Sequence, residues 1–203
     1  DDRALQRPWM QPVSIPRGKG RLLRVEADEG VHPYDAEALA RLKPVQADGV
    51  VTFGTQTHPA DGCAGALVCS ADRARTLSRG GGTVRLLAAG FARAAKAEMP
   101  KAATTAAERA LDAAGVAIRD VRLVQTHNPF AVNDLWFTQR TGFPLERMNP
   151  SGCSLVYGHP QGPTGLRGMV ELVQALRAAG GGIGVFTGCA AGDTGAAVVL
   201  QVE

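Results

Sequence analysis

From residue 83 onward, short β-branched runs alternate with stretches of helical periodicity, and this pattern predicts a layered α/β fold. Composition agrees. The 203 residues include 25 glycines and abundant alanine but only 5% aromatics, so helices and strands can approach closely and an aromatic-rich β-sandwich is disfavoured. Apolar residues make up 45% and charged residues 20%, an ordinary globular balance.

The first 47 residues fit least well. Pro8, Pro12, Pro16, Pro33 and Pro44 interrupt them, and only residues 35–42 read as helical. A segment with so weak an apolar pattern cannot bury itself and is expected to lie on another surface. From Gly49 the character changes. Residues 50–52 lead into the turn-rich stretch 54–62, and the apolar run 63–70 reads as a strand, with Cys63 and Cys69 expected as buried thiols. Residues 83–91 read as a strand. Residues 104–114 read as a helix with Thr104 or Thr105 as N-cap and Gly115 as C-cap.

Residues 121–125 follow as a short buried strand, and 132–140 as a helix stopped by Gly142. The clearest helix spans 164–179. Leu166, Met169, Val170, Val173 and Leu176 recur at helical spacing, Arg167, Glu171 and Gln174 take the opposite face, and Gly180 ends it. Arg167 and Glu171 are spaced for an ion pair. Residues 183–187 and 196–202 complete the pattern as β-branched strands. An internal echo joins residues 61–68 to 193–200, each an acidic turn feeding a small-residue strand. It points to two related halves, the first represented only by its last strand.

Charge narrows the function classes. The net charge is +3, and the densest basic run holds Arg17, Lys19, Arg21 and Arg24 among glycines, a solvated loop or a patch for a phosphorylated ligand. Aromatics are not interleaved with basic residues as a nucleic-acid platform requires. There is no 18-residue apolar run, and the start Asp1-Asp2-Arg3 does not read as a signal peptide. Four cysteines without close spacing make neither a disulfide framework nor a zinc site, so a reducing, cytoplasmic compartment is expected.

Three clusters sit in loops beside predicted elements: residues 126–131, residues 149–165 and residues 188–195. Loops after strand ends are where α/β sheets gather their sites. His127, His159 and Cys189 are the acid–base candidates, and the glycines around them allow backbone N–H groups to approach an oxyanion. Singly, each also fits a structural role: a hydrogen-bonded histidine, a turn residue, a small buried apolar side chain. The glycine run 180–184 precedes a strand instead of following one and is not read as a nucleotide loop.

Taken together, the clusters resemble the thiolase family. Residues 158–165 look like its GHPxGxTG loop, residues 189–197 like its CxGGGxGxA loop, and residues 149–152 like the N-x-x-G stretch before the histidine loop. His127 stands where most members read NEAFA and is similar to the HDCF of the sterol-carrier-protein type of thiolase. Residues 50–65 look like the TxGNxSxxxDGAAA strand and loop, keeping Asp61 and Gly62, and residues 15–28 like the tail of the loop domain. The implied division is 1–48, tail of the loop domain; 49–78, last strand and helix of the amino-terminal half; 79–203, the carboxy-terminal domain.

The resemblance implies an acyltransferase that cleaves a 3-oxoacyl-CoA with CoA, or runs the reverse Claisen condensation. Thiolases carry the nucleophilic cysteine in their first half, and the chain is expected to begin after it. Cys63 and Cys69 lack the needed setting; Cys153, the best rival, holds a position that by resemblance is usually a small residue, which favours a structural role. His159 would deprotonate the nucleophile and bond the thioester oxygen. Cys189 would shuttle the α-proton, with a thiol pKa below the ordinary value. His127 and the backbone of Ala191 would serve oxyanion holes, and Phe130, Met99 and Thr57 would contact substrate or CoA. No cofactor is implied, coenzyme A being a substrate. A companion chain or fragment would supply the missing half, in a homo- or hetero-oligomer. Ala190, Ala191 and Asp193 replace family glycines, and Asn128 and Pro129 alter the wall beside His127. A retro-aldol lyase acting on a 3-hydroxyacyl-CoA and a non-catalytic thiolase-like subunit are the alternatives.

Overall fold

The computed structural model describes residues 6–78 and 80–203. Residues 1–5 of the expected loop-domain tail, and Arg79 at the head of the expected last domain, lie outside the described residues. An exposed antiparallel hairpin, β1 (Val13–Pro16) and β2 (Leu22–Val25), comes first. Its tip holds Arg17, Lys19 and Arg21 in solvent, while Arg24 falls in β2 and pairs with Glu26. Helix α1 (Ala36–Ala40) is shorter than expected and is capped by Asp35, whose carboxylate accepts the Ala38 N–H at 2.9 Å.

Residues 63–70 correct the sequence reading. They form no strand and are largely exposed, Leu67 to 75% and Val68 to 76%, and Cys63 and Cys69 are exposed thiols. A strand exists through its ladder, and among the described residues none lies beside this run. Helix α2 (Ala71–Ser78) follows and buries nothing.

The ordered core begins at β3 (Val84–Arg93) and helix α3 (Met99–Ala114). Helix α3 starts at Met99, with Glu98 as N-cap and Pro100 in its first turn, well before the threonines expected to cap it. Thr104 is instead a buried interior residue whose hydroxyl bonds Pro100 O at 3.2 Å. Gly115 closes the helix in the left-handed region, as expected. Strand β4 (Leu123–His127), helix α4 (Val132–Thr141), the short α5 (Ser154–Tyr157), helix α6 (Thr164–Ala178) and strands β5 (Gly182–Ala190) and β6 (Thr194–Val202) complete the chain.

The central sheet runs in the order β3-β6-β5-β4. Only β4 and β5 are parallel, joined by the crossover that carries α4, α5 and α6. Successive β5 residues face opposite layers. Val185 joins the core under α3 and α4, whereas Phe186 joins the core under α6. The small-residue composition is spent between α3 and the sheet. Ala102, Ala103, Ala106, Ala107 and Ala110 line the buried helix face, opposite Gly90 and Gly195. A Cβ on Gly90 would stand 2.2 Å from Ala106 O, and one on Gly195 would stand 2.4 Å from Ala102 O.

On the other layer, α6 buries Thr164, Gly168, Glu171, Leu172 and Leu176. Truncating Leu172 or Leu176, both fully buried, to Ala costs about 2–5 kcal/mol. Glu171, read as solvent-facing, is only 2% exposed and pairs with Arg167 at 3.7 Å. Among the described residues no helix is long and apolar enough to cross a membrane.

Candidate active site

Parallel pairing of β4 and β5 brings their carboxyl ends to one edge of the sheet, where His127 is in register with Gly188. The fit there is tight: a Cβ on Gly188 would stand 3.0 Å from the His127 Cβ. The loop from α5 to α6 folds over this edge and places His159 against His127, ring centroids 4.4 Å apart and tilted by 33°. Two hydroxyls hold the rings. Ser154 Oγ is 3.0 Å from His127 Nδ1, and Thr164 Oγ1 is 2.9 Å from His159 Nδ1. The His159 N–H donates to His58 O at 2.8 Å, which ties the histidine loop to residues 55–60.

Cys189 lies within β5, not in the loop after it, and is buried. Asn133, on the first turn of α4, donates its side-chain N–H to Cys189 Sγ at 3.4 Å. A cleft of about 410 Å³ brings together His127, His159, Cys189 and Ala191, with Phe186 and Thr164 among its walls. Among the described residues no carboxylate, lysine or arginine lines it, and its acid–base groups are the two imidazoles and the thiol.

Phe130, Met99 and Thr57 are outside the lining of this cleft. Thr57 secures neighbouring loops, its N–H donating to Pro129 O at 2.8 Å and its hydroxyl to Ser154 O at 2.5 Å. Phe130 bridges Gln56 through its backbone, and Met99 is half-buried at the start of α3. Cys153 is buried outside the cleft lining and precedes α5.

The β5–β6 turn resolves the question raised by its missing glycines. Only Gly192 (φ 83°) and Asp193 (φ 57°) adopt the left-handed region there, whereas Ala190 and Ala191 do not. Asp tolerates that region better than most residues, so the replacements leave the turn intact.

Burial sets the protonation states. His127 is lowered to about 4, first by desolvation and then by the nearby His159 and Arg167. His159 is lowered by desolvation and then by Arg167. Burial pushes the Cys189 thiol up, although the Asn133 N–H and its own backbone N–H favour the thiolate. This overturns the expectation of a lowered thiol pKa: desolvation of the anion outweighs two hydrogen bonds.

Several residues that build the site were not read from the sequence as holding its reactive groups. Besides Ser154, Arg167 and Asn133, a buried network fixes β4 to the loop before α5. Asn149 Oδ1 accepts the Thr126 N–H at 2.7 Å, and Asp134 accepts from Thr126 at 2.6 Å and from Asn128 at 2.6 Å. Asn149 adopts φ 50°, which asparagine accommodates. Its place in the N-x-x-G stretch was the one sequence signal. Among the described residues no group of three or more His, Cys, Asp or Glu side chains is arranged to hold a metal ion.

Known proteins share this architecture and more. Residues 81–202 match the family model described as thiolase, C-terminal domain. The chain therefore belongs to the thiolase family. It is 31% identical to a 3-ketoacyl-CoA thiolase of Erwinia tasmaniensis, covering 97% of this chain and 47% of that protein. It is 33% identical to an acetyl-CoA acetyltransferase of Pseudomonas aeruginosa, covering 96% and 50%. In structure it is similar to human mitochondrial 3-ketoacyl-CoA thiolase, with a TM-score of 0.79 at 27% identity over 95% of this chain and 49% of that one. The Bacillus anthracis acetyl-CoA acetyltransferase superposes with a TM-score of 0.88 over 98% of this chain and 51% of that one; at 24% identity this speaks for the fold. The chain spans about half the length of the curated relatives it matches. The layered α/β class expected from the sequence is the class of these structures.

Proposed function

We propose that this chain supplies the acid–base half of a thiolase-type acyltransferase site acting on a 3-oxoacyl-CoA. The observation that carries the reading is the meeting of His127, His159 and Cys189 in one cleft that no Asp, Glu, Lys or Arg among the described residues lines. Relatives named 3-ketoacyl-CoA thiolase and acetyl-CoA acetyltransferase support the reaction class.

In the cleavage direction, a cysteine on a companion half gives its proton to neutral His159 and attacks the 3-oxo carbon. The bond between C2 and C3 breaks and leaves an enolate of acetyl-CoA. The Cys189 thiol protonates that enolate at carbon, and His127 and the Ala191 N–H serve the oxyanions. CoA then gives its thiol proton to the Cys189 thiolate and takes the acyl group, and the departing nucleophilic cysteine recovers its proton from His159. A thiol kept protonated by burial suits the acid role of this direction. Histidine at 127 supports the sterol-carrier-protein type of thiolase. Thr57, Phe130 and Met99 are proposed contacts for the CoA arm beyond the cleft.

A companion polypeptide, in a homo- or hetero-oligomer, is supported by the exposed apolar side chains Val50, Phe53, Leu67 and Val68. Four free cysteines support a reducing, cytoplasmic setting.

The test is to express residues 1–203 alone and together with a polypeptide carrying an amino-terminal thiolase half, then to assay CoA-dependent cleavage of a 3-oxoacyl-CoA. Activity should require both polypeptides. A soluble, monomeric, fully active chain 1–203 would refute the split site. Cleavage of a 3-hydroxyacyl-CoA without CoA would establish the lyase instead.

A further inference from the structure

Ser154 is fully buried, and its hydroxyl lies between two nitrogens. Arg167 donates to Ser154 Oγ at 3.3 Å, and His127 Nδ1 stands 3.0 Å from the same oxygen. A guanidinium has donors and no acceptor, so the serine oxygen must accept on that side. Its own hydrogen then needs an acceptor, and among the described contacts of this hydroxyl that acceptor is His127 Nδ1. A nitrogen that accepts carries no proton, and a neutral imidazole then carries its proton on Nε2.

Arg167 is not free to swing away from this arrangement. It also donates to Gly158 O at 3.2 Å and faces the buried Glu171 at 3.7 Å. Glu171 in turn receives Gln125 Nε2 at 3.3 Å, and the same amide donates to Gly152 O at 2.8 Å. One arm of the guanidinium therefore rests on Gly158 in the histidine loop and the other on Ser154 in α5, while Nε faces Glu171 one turn along α6.

We infer that Arg167 and Ser154 are positioning residues that hold His127 as the Nε2–H tautomer, presenting a hydrogen-bond donor to the cleft. Nδ1 is turned to Ser154, so the opposite ring nitrogen is the one a ligand meets. His159 is held differently: among the described contacts, no guanidinium donates to Thr164 Oγ1. That hydroxyl is free to accept the His159 Nδ1–H and to leave Nε2 as a base. The two stacked imidazoles are thereby given opposite tasks, one donor and one acceptor. The catalytic value of this arrangement rests on the acyltransferase reading, whereas the tautomer itself does not.

The experiment is a ring-nitrogen NMR spectrum of the intact protein labelled with ¹⁵N-histidine, with His127 assigned by its loss in His127→Asn. At neutral pH the expected wild-type spectrum shows His127 Nδ1 without a proton and Nε2 protonated. In Ser154→Ala the preference should collapse to a mixture of both tautomers. Turnover in that variant should fall by about 10-fold with KM within about twofold, less than the 10²–10³-fold loss on deleting an oxyanion donor outright. A protonated Nδ1 in the wild type, or an unchanged tautomer in Ser154→Ala, overturns the proposal. The wild-type spectrum decides the tautomer even if the variant misfolds. It also does so if the protein transfers no acyl group, which keeps the two readings separable.

Discussion

His127 and His159 stack with ring centroids 4.4 Å apart, and Arg167 hydrogen-bonds both to the Ser154 hydroxyl that holds His127 and to the carbonyl just before His159. A proton on either ring would face the other ring's dipole and a fixed cation in a desolvated setting. Both imidazoles are therefore held below the ordinary histidine value, which favours the neutral forms that the proposed base and donor require.

The pH dependence of stability follows from His127. Its folded pKa, about 4, lies below the ordinary 6.5, so the unfolded chain takes up the proton first. The contribution is complete above pH 6.5 and is lost as pH falls towards 4, for a total of roughly 3 kcal/mol. Urea unfolding at pH 7.5 and pH 4.5 should show this loss in the wild type and a smaller one in His127→Asn. Equal losses in the two proteins would remove His127 as the cause. In the assembled enzyme His127→Asn should keep part of the activity, since its amide can still donate, and His127→Ala should keep less.

His159→Ala should lower turnover by about 10²–10⁴-fold, the usual worth of a general base. Folding should be little affected, because the residue is only partly buried and its loop stays anchored through the backbone bond to His58. Steady-state kinetics and circular dichroism of the assembled enzyme check both halves of the expectation, and wild-type turnover would sink the assignment.

Asn133 tunes Cys189. Its N–H donation favours the thiolate, so Asn133→Ala should move the pH profile of Cys189 alkylation to higher pH. The measurement belongs in a background without the exposed Cys63 and Cys69. An unshifted profile would make the contact merely steric. Cys189→Ser should slow thiolysis severely yet still allow an acyl-enzyme on the companion cysteine, detectable by mass spectrometry.

Gly90→Ala tests the packing of α3. The new Cβ would stand 2.2 Å from Ala106 O and 2.6 Å from Ala110 N, backbone atoms that cannot rotate aside. The helix must lift from the sheet at a cost of about 1–3 kcal/mol or more. An unchanged urea midpoint would show that the close approach is relaxed in solution.

His127, His159 and Cys189 stand out as candidates in the chain alone because their loops carry local signatures, namely glycines, prolines and strand ends, whereas Ala191 is pointed to only by the resemblance of its loop to the thiolase cysteine loop. Helix α6 and strands β5 and β6 were visible for the same reason, since periodicity is a property of neighbours in the chain. The limits were equally physical. Residues 63–70 read as a strand by composition, yet a strand depends on a partner that composition does not contain. Glu171 read as solvent-facing, but the covered side of α6 is decided by the sheet beneath it, which turns that carboxylate towards Gln125 and Arg167.

The local pattern of apolar, small and turn residues settles the class of fold and the loops that carry reactive side chains, because each such signal is complete within a few residues. It leaves open which groups those side chains touch. Ser154 meets His127, Asn133 meets Cys189, and Arg167 bridges two loops only after the β4–β5 pairing and the α5–α6 turn have brought distant segments together. Protonation states follow the same division: the sequence names the titratable groups, and burial in the folded chain sets which of them carry a proton.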